Sequence, residues 1–327
     1  MQRMGFEAKS LKFSTPVLIT GASGFVGSNL LRRLVREAQP KKVYVILRKN
    51  ARTWRIDDLL RVVSTYIIDL RDPLATNRFI KKIKPKTIFH LATHGAYPQE
   101  QYDEQEIIDT NIICTFNLMQ ACLGEGFDVF INTGTSSEYG TKKKPMREAD
   151  MLDPNTAYGA SKAWATLYGR YLALNRKVPI VTLRPFSAYG FYEPLGRLVP
   201  NLIVSLIKKR RPHLSTPSVV RDFVFIDDVV SAFLLAAAHP STGAIFNIGT
   251  GKQTNLAEIF SIIKNIIGVD IKPVWDKKIS RSFDTSCWVA DTKLVRKKLN
   301  WAPKTSLRNG LELTVDWFKR NMNLYEA

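Results

Sequence analysis

The chain has 327 residues, 45% of them apolar, enough for one large domain or two modest ones with a real core. Its formal charge is +19, but the basic clusters (Lys81-Lys82 with Lys84 and Lys86, Lys142 to Lys144, Lys208 to Arg211, Arg296 to Lys298) are scattered and carry no interleaved aromatics. They read as solvated faces, or as a field that attracts a doubly charged diphosphate, and not as a nucleic-acid footprint. No run of eighteen apolar residues suggests a membrane span, and Met1 to Lys12 lacks the apolar core of a signal peptide, so a soluble, cytoplasmic protein is expected. Three cysteines, Cys114, Cys122 and Cys287, are too few and too irregular for a disulfide framework or a metal site. Cys114 and Cys122 are expected to face inward on one helix as reduced thiols.

Pro16 to Thr20 reads as a short apolar strand. Gly21, Ser23, Gly24, Phe25, Val26 and Gly27 form a glycine-rich loop after it, and an amphipathic helix follows through Leu30, Leu31, Leu34 and Val35. Strand, loop and helix in that order make a phosphate cradle. The glycines permit a tight turn and close approach of backbone to pyrophosphate, and the helix N-terminus offers free N–H groups and a positive dipole end. Dinucleotide binding is the reading this supports, a glycine turn used only for helix packing being the alternative. The second strand, Lys42 to Leu47, ends in Arg48-Lys49 where an NAD-binding chain places an acid for the ribose 2′-hydroxyl. An arginine there suits the 2′-phosphate of NADP; a surface arginine at a strand end is the alternative. A third strand, Thr65 to Ile68, runs into Asp69-Leu70, and a fourth, Thr87 to His90, into Leu91, Ala92 and Thr93. Both ends are expected at the cofactor edge of a parallel sheet.

Apolar spacing predicts helix around Ile107 to Cys122, then a fifth strand from Val129 to Asn132 leading into Thr133-Gly-Thr135. After a polar loop and Asp153-Pro154 comes a helix through Tyr158, Lys162, Trp164, Leu167, Tyr168 and Tyr171, and a sixth strand, Pro179 to Leu183, ends at Arg184-Pro185-Phe186. Alternating strands and helices over this length predict a doubly wound, parallel α/β sheet of Rossmann type. Beyond Phe186 the expected elements are helices at Asn201 to Lys209, Asp227 to Ala238, Leu256 to Ile267, Thr292 to Leu299 and from Leu307, an extended segment at Val219 to Ile226, and a late strand at Ala244 to Ile248. No linker separates two domains. The division expected is a dinucleotide-binding domain over 1–185, with returns near 222–250, and a smaller C-terminal substrate-binding lobe over 186–221 and 251–327.

On a helix, the spacing of four puts Tyr158 and Lys162 on one face. A phenol with an ordinary pKa near 10 needs a drop of roughly three units, about 4 kcal/mol, to work at neutral pH, and one positive charge about 4 Å away supplies that much. Tyr139 and Lys143 have the same spacing, but they straddle Gly140 to Pro145, a polar turn.

Taken together, Thr20-Gly-Ala-Ser-Gly-Phe-Val-Gly27, Asp69-Leu70, His90-Leu-Ala92, Asn111 with Thr115, Thr135 through Gly140, Tyr158-Gly-Ala-Ser-Lys162, Leu183-Arg-Pro-Phe186, Arg221-Asp-Phe-Val-Phe-Ile-Asp-Asp228, Phe246-Asn-Ile-Gly249 and Leu299-Asn-Trp-Ala-Pro303 resemble the extended short-chain dehydrogenase/reductase family. Within it the likeness is to the NAD-dependent epimerase/dehydratase group, which modifies sugars carried on nucleoside diphosphates, and it runs from Thr20 to about Trp317. The resemblance implies that Thr135 is the catalytic serine/threonine, Tyr158 the acid/base, and Lys162 the residue that holds the nicotinamide ribose and lowers the tyrosine pKa. It implies that Asp69 and Leu70 meet the adenine, that Pro185 and Phe186 flank the nicotinamide, and that Arg221 grips the substrate diphosphate, with Arg281 as a second arginine. It also implies a homodimer through the helices at Cys114 to Cys122 and Tyr158 to Leu174.

Departures from the family pattern narrow the reaction. Where 4,6-dehydratases carry an acid after the catalytic threonine, this chain has Ser136-Ser137, with Glu138 one place late. Arg48 argues for NADP over NAD. The expectation is an NADP-dependent reductase of a 4-keto sugar nucleotide, with a 4-epimerase as the alternative and a dehydratase or a catalytically silent binding protein less favoured. In Thr93-His94-Gly95-Ala96-Tyr97, His94 or Tyr97 is placed to contact substrate or to act as an extra acid, a packed loop histidine being the alternative.

Overall fold

The computed structural model describes residues 14–37, 42–97, 100–277 and 285–325. Six strands follow the sequence pattern closely: β1 (Val17–Thr20), β2 (Val43–Leu47), β3 (Ser64–Ile67), β4 (Thr87–His90), β5 (Val129–Thr133) and β6 (Ile180–Pro185). They and the late strand Ile245–Ile248 form one seven-stranded sheet in the order Ile245–Ile248, β6, β5, β4, β1, β2, β3, every pairing parallel. The strands are almost continuously apolar because both faces are covered. In β1, Val17 and Ile19 enter the core that holds Leu30, Leu31 and Leu34 of α1 (Phe25–Glu37). Leu18 points the other way, among Phe79, Leu118 and Leu172. All of these except Phe79 are fully buried, as the two-residue period of a strand requires.

The second face is covered by α2 (Pro73–Ile83), by a long helix made of α3 (Glu104–Ile108), a π-helical stretch at Asp109–Ile113 and α4 (Cys114–Glu125), and by α5 (Ala157–Arg176). The pattern reading contained no α2. Its signals were local, however: Asp72 caps the helix by accepting from the Leu74 and Ala75 amides, Pro73 occupies its first turn, and Thr76, Phe79, Ile80 and Ile83 are buried at helical spacing. Cys114 and Cys122 are buried on α4 as free thiols, and burial pushes both pKa values up.

The region past β6 carries the larger departures. β6 runs two residues longer than expected, through Arg184 and Pro185, in register with Asn247 and Ile248. The extended stretch at 219–226 is broken into Val220–Arg221 and Phe223–Phe225. Asp222 between them turns its carboxylate inward, where it accepts from the amides of Thr250 (2.8 Å), Gly251 (3.0 Å) and Ala290 (3.1 Å). That buried carboxylate is satisfied by the loop after Ile245–Ile248 and by Ala290, and so fixes the segment next to Arg221.

Candidate active site

β1 ends at the centre of the sheet, between β2 and β4, and the chain leaves it through Gly21 at φ +71°. A Cβ on Gly21 would fall on the Leu91 backbone, and one on Gly27 would fall on the Gly21 carbonyl. Only glycine allows the loop to lie this close to its neighbours and leave the N-terminus of α1 open as an anion cradle. A cleft of about 700 Å³ runs across the carboxyl ends of the strands. The glycine loop, Arg48, Asp69-Leu70, Leu91 to Thr93, Tyr97, Thr135 to Ser137, Tyr158, Pro185-Phe186 and Arg221 all line it. At its outer end, Arg48 donates to Glu106 at 2.8 Å and Arg71 chelates Asp69 (Nη2 to Oδ2, 2.8 Å), which holds the Asp69 carboxyl below its usual range.

Tyr158 lies in the first turn of α5, whose N-cap Thr156 accepts from the Gly159 amide. Thr135 stands just beyond β5, and its hydroxyl hydrogen-bonds the Tyr158 phenol. The expected drop in the tyrosine pKa does not occur with these residues alone. Burial pushes the phenol up to about 12, with the Thr135 hydrogen bond pulling the other way. Low-dielectric surroundings disfavour the charged form of each partner, so burial also lowers Lys162, to about 8. At neutral pH the tyrosine is therefore protonated.

Lys162 is 1% exposed, and its Nζ has no hydrogen-bond partner among the described residues. A buried ammonium without an acceptor is costly, and the hydroxyls of a nicotinamide ribose are acceptors of the kind that would relieve it. The cradle that a Cβ would fill and this orphaned ammonium both fit a nicotinamide dinucleotide.

Glu138, one place late for a dehydratase acid, is turned away from the cleft. It is fully buried, and its two oxygens are committed: Oε1 accepts from the Thr135 amide at 2.8 Å, while Oε2 takes Nε and Nη2 of Arg184, each at 2.7 Å. Arg184 in turn donates to the Tyr139 hydroxyl at 2.8 Å, and that hydroxyl donates to Asn247 Oδ1 at 2.7 Å. This buried chain backs the loop that carries Thr135 and turns the carboxylate of that loop away from the cleft that Ser136 and Ser137 line.

Elsewhere on the cleft wall, the Arg221 guanidinium lies 5.2 Å over the Trp288 ring, and the Trp288 indole N–H donates to Ser136 Oγ at 3.2 Å. Arg197 lies 5.9 Å over both Tyr97 and Phe25 and pairs with the buried Glu193 at 2.9 Å. His94 does not line the cleft. Its amide and carbonyl instead clasp the Asn111 side chain, which also donates to Ser161 on α5. Arg281 lies outside the described residues. Pattern reading passed over Arg55, Arg197 and Trp288, all of which line the cleft. Nothing local marks them: each comes from a loop whose course depends on what it packs against.

The model of a family described as "NAD dependent epimerase/dehydratase family" matches residues 17–249. A trifunctional UDP-glucose 4,6-dehydratase/UDP-4-keto-6-deoxy-D-glucose 3,5-epimerase/UDP-4-keto-L-rhamnose-reductase of Arabidopsis thaliana is 28% identical over 323 residues, which cover 93% of this chain and 47% of that protein. This chain thus spans about half the length of that relative. The crystal structure of UDP-glucose 4-epimerase with UDP-glucose from Thermotoga maritima superposes with a TM-score of 0.85 at 27% identity, covering 94% of this chain and 99% of that one. That of UDP-glucuronic acid 4-epimerase from Bacillus cereus with UDP-glucuronic acid and NAD superposes at 0.83 and 26%, covering 93% and 99%. The chain belongs to the NAD-dependent epimerase/dehydratase family.

Proposed function

We propose that this enzyme reduces the 4-keto group of a sugar carried on a nucleoside diphosphate, with NADP(H) as cofactor. The observation that carries the reading is the division of acids at the sugar end. Glu138 is withdrawn into the core on Arg184, so the acid that follows Ser136 and Ser137 is not offered to the elimination step of a dehydratase, while Tyr158 stands protonated against Thr135. Thr135 and Tyr158 converge on the place of the sugar oxygen. The Thr135 hydroxyl donates to that oxygen, and Tyr158 gives it a proton as it becomes a hydroxyl. A bound nicotinamide supplies the hydride that goes to the carbonyl carbon. Lys162 holds the nicotinamide ribose and favours the phenolate left behind, while Pro185 and Phe186 wall the ring. Arg221, stacked on Trp288, anchors the diphosphate away from the chemistry, in a lobe formed by 186–221 and 251–327. NADP is preferred because β2 ends in Arg48 and not in an acid.

A 4-epimerase is the second reading. Glu106, which meets Arg48 at 2.8 Å in the same cleft, compensates the charge meant for a 2′-phosphate, and the Bacillus cereus relative holds NAD. The experiment is to identify the nucleotide released from the purified protein and to follow NADPH absorbance against a panel of 4-keto-6-deoxy sugar nucleotides. Tightly retained NAD with no NADPH consumption would sink the reductase and favour the epimerase. Arg48→Asp is expected to shift preference toward NAD by about tenfold, the loss of one charge-assisted contact.

A cytoplasmic homodimer belongs to the same proposal. Ile108, Ile113, Phe116, Leu167, Tyr171 and Leu174 stand exposed on α3, the π-helical stretch, α4 and α5, and a second copy packing helix against helix would cover them. Sedimentation of Leu167→Glu as a monomer, against a wild-type dimer, is the expected result.

A further inference from the structure

We propose that Arg55, in the connection between β2 and β3, grips the pyrophosphate of the bound dinucleotide. The inference rests on the reading that a dinucleotide occupies the cleft. Arg55 lines that cleft where three segments meet. Its Nε donates to the Tyr192 carbonyl of the substrate lobe at 2.8 Å, and its Nη1 reaches the Ser23 carbonyl of the glycine loop only at 3.5 Å. Its guanidinium stacks 4.2 Å over the Trp54 ring, and that ring is held edge-on by Tyr325 at 4.8 Å. The side chain is therefore fixed before any ligand arrives, which removes much of the entropy cost of holding an anion.

What sets Arg55 apart is the lack of a counter-charge. Arg32 is paired with Asp58, Arg48 with Glu106, Arg71 with Asp69 and Arg197 with Glu193. Among the described residues no carboxylate pairs with Arg55, although it is largely buried, and burial lowers its pKa with only Tyr97 and Tyr325 opposing. It stands beside the glycine loop, where the N-terminus of α1 already concentrates positive potential. Two positive features that face one another across a loop call for an anion between them, and the planar guanidinium fork suits phosphate oxygens. A pyrophosphate is common to NAD and NADP, so the contact is indifferent to the 2′-phosphate that Arg48 concerns.

The test is direct titration of NAD⁺, NADP⁺ and UDP, by calorimetry, into wild-type protein and the Arg55→Met and Arg55→Lys variants. Arg55→Met is expected to weaken NAD⁺ and NADP⁺ by the same factor, about ten- to hundredfold, and to leave UDP unchanged. Arg55→Lys keeps the charge without the fork or the stacking and is expected to fall between. Unchanged dinucleotide affinity, a loss confined to NADP⁺, or an equal loss for UDP overturns the assignment. Should the methionine variant not fold, the lysine variant decides: no weakening in it counts against the proposal. Failure of the wild-type protein to bind either dinucleotide would instead sink the reading beneath it.

Discussion

Tyr158 and Tyr139 both precede a lysine by four residues, and both have a phenol pushed upward by burial. Their surroundings differ in what is satisfied. The Tyr139 hydroxyl accepts from Arg184 and donates to Asn247, Lys143 stands in solvent on an irregular segment, and Tyr139 itself is fully buried. Tyr158 sits at a cleft wall on a helix, its hydroxyl against Thr135, with Lys162 buried one turn away and lacking an acceptor among the described residues. A closed hydrogen-bond network is what a structural tyrosine has, and an open one, with a buried charge left over, is what a site awaiting ligand has.

The strongest way to break that comparison is to remove each hydroxyl. Tyr158→Phe is expected to lower turnover by about 10²- to 10⁴-fold while nicotinamide dinucleotide affinity stays within a few-fold. Equal loss of turnover in Tyr139→Phe would erase the distinction between the two. Glu138→Gln keeps an oxygen for the Thr135 amide but leaves Arg184 charged and unpaired in the core. Chemical denaturation should show a loss of about 3–5 kcal/mol, and a variant as stable as wild type would show that Arg184 has another partner. Tyr139→Phe should cost less, about 1–3 kcal/mol, because it strands one donor on Arg184 and one acceptor on Asn247 without stranding a charge.

The last expected effect concerns Lys162 and sharpens the contrast through pH. Its ammonium pKa is about 8 when folded, below the ordinary value near 10.4. Between those values the unfolded chain binds the extra proton, so stability rises with pH, and the penalty for burying the ammonium is present in full only below about pH 8. Lys162→Met removes the penalty. The variant's Tm should exceed that of wild type at pH 7, and the gap should narrow toward pH 10. A gap that is constant over this range would mean that the ammonium is not desolvated.

Local signals were enough for much of this molecule. Thr87–His90 and Leu256–Ile267 occur where apolar period and flanking turn residues put them, and the glycine loop announces its own geometry because Gly21 and Gly27 tolerate no Cβ. The helix Pro73–Ile83 was legible in its Asp-Pro cap but was masked by the polar look of its exposed face. Other features depended on partners that no local pattern names. Sequence showed Glu138 only as an acid one place late, and it is Arg184, 46 residues away, that takes its carboxylate. Tyr158 looked like a phenol with a lowered pKa, because spacing reports a lysine one turn away and says nothing of burial, which here raises the pKa against the pull of Thr135 and Arg197.

Thus the sequence by itself determined most of the strands and helices, the phosphate cradle and many of the residues that meet at the cleft, but not Arg55, Arg197 or Trp288. These follow from periods, caps and backbone sterics that act within a turn or two of the chain. Only the tertiary structure decided the protonation bias of Tyr158, the retreat of Glu138 into the core and the unpaired state of Arg55. Desolvation and long-range pairing set all three, and both depend on which distant segments close over a residue.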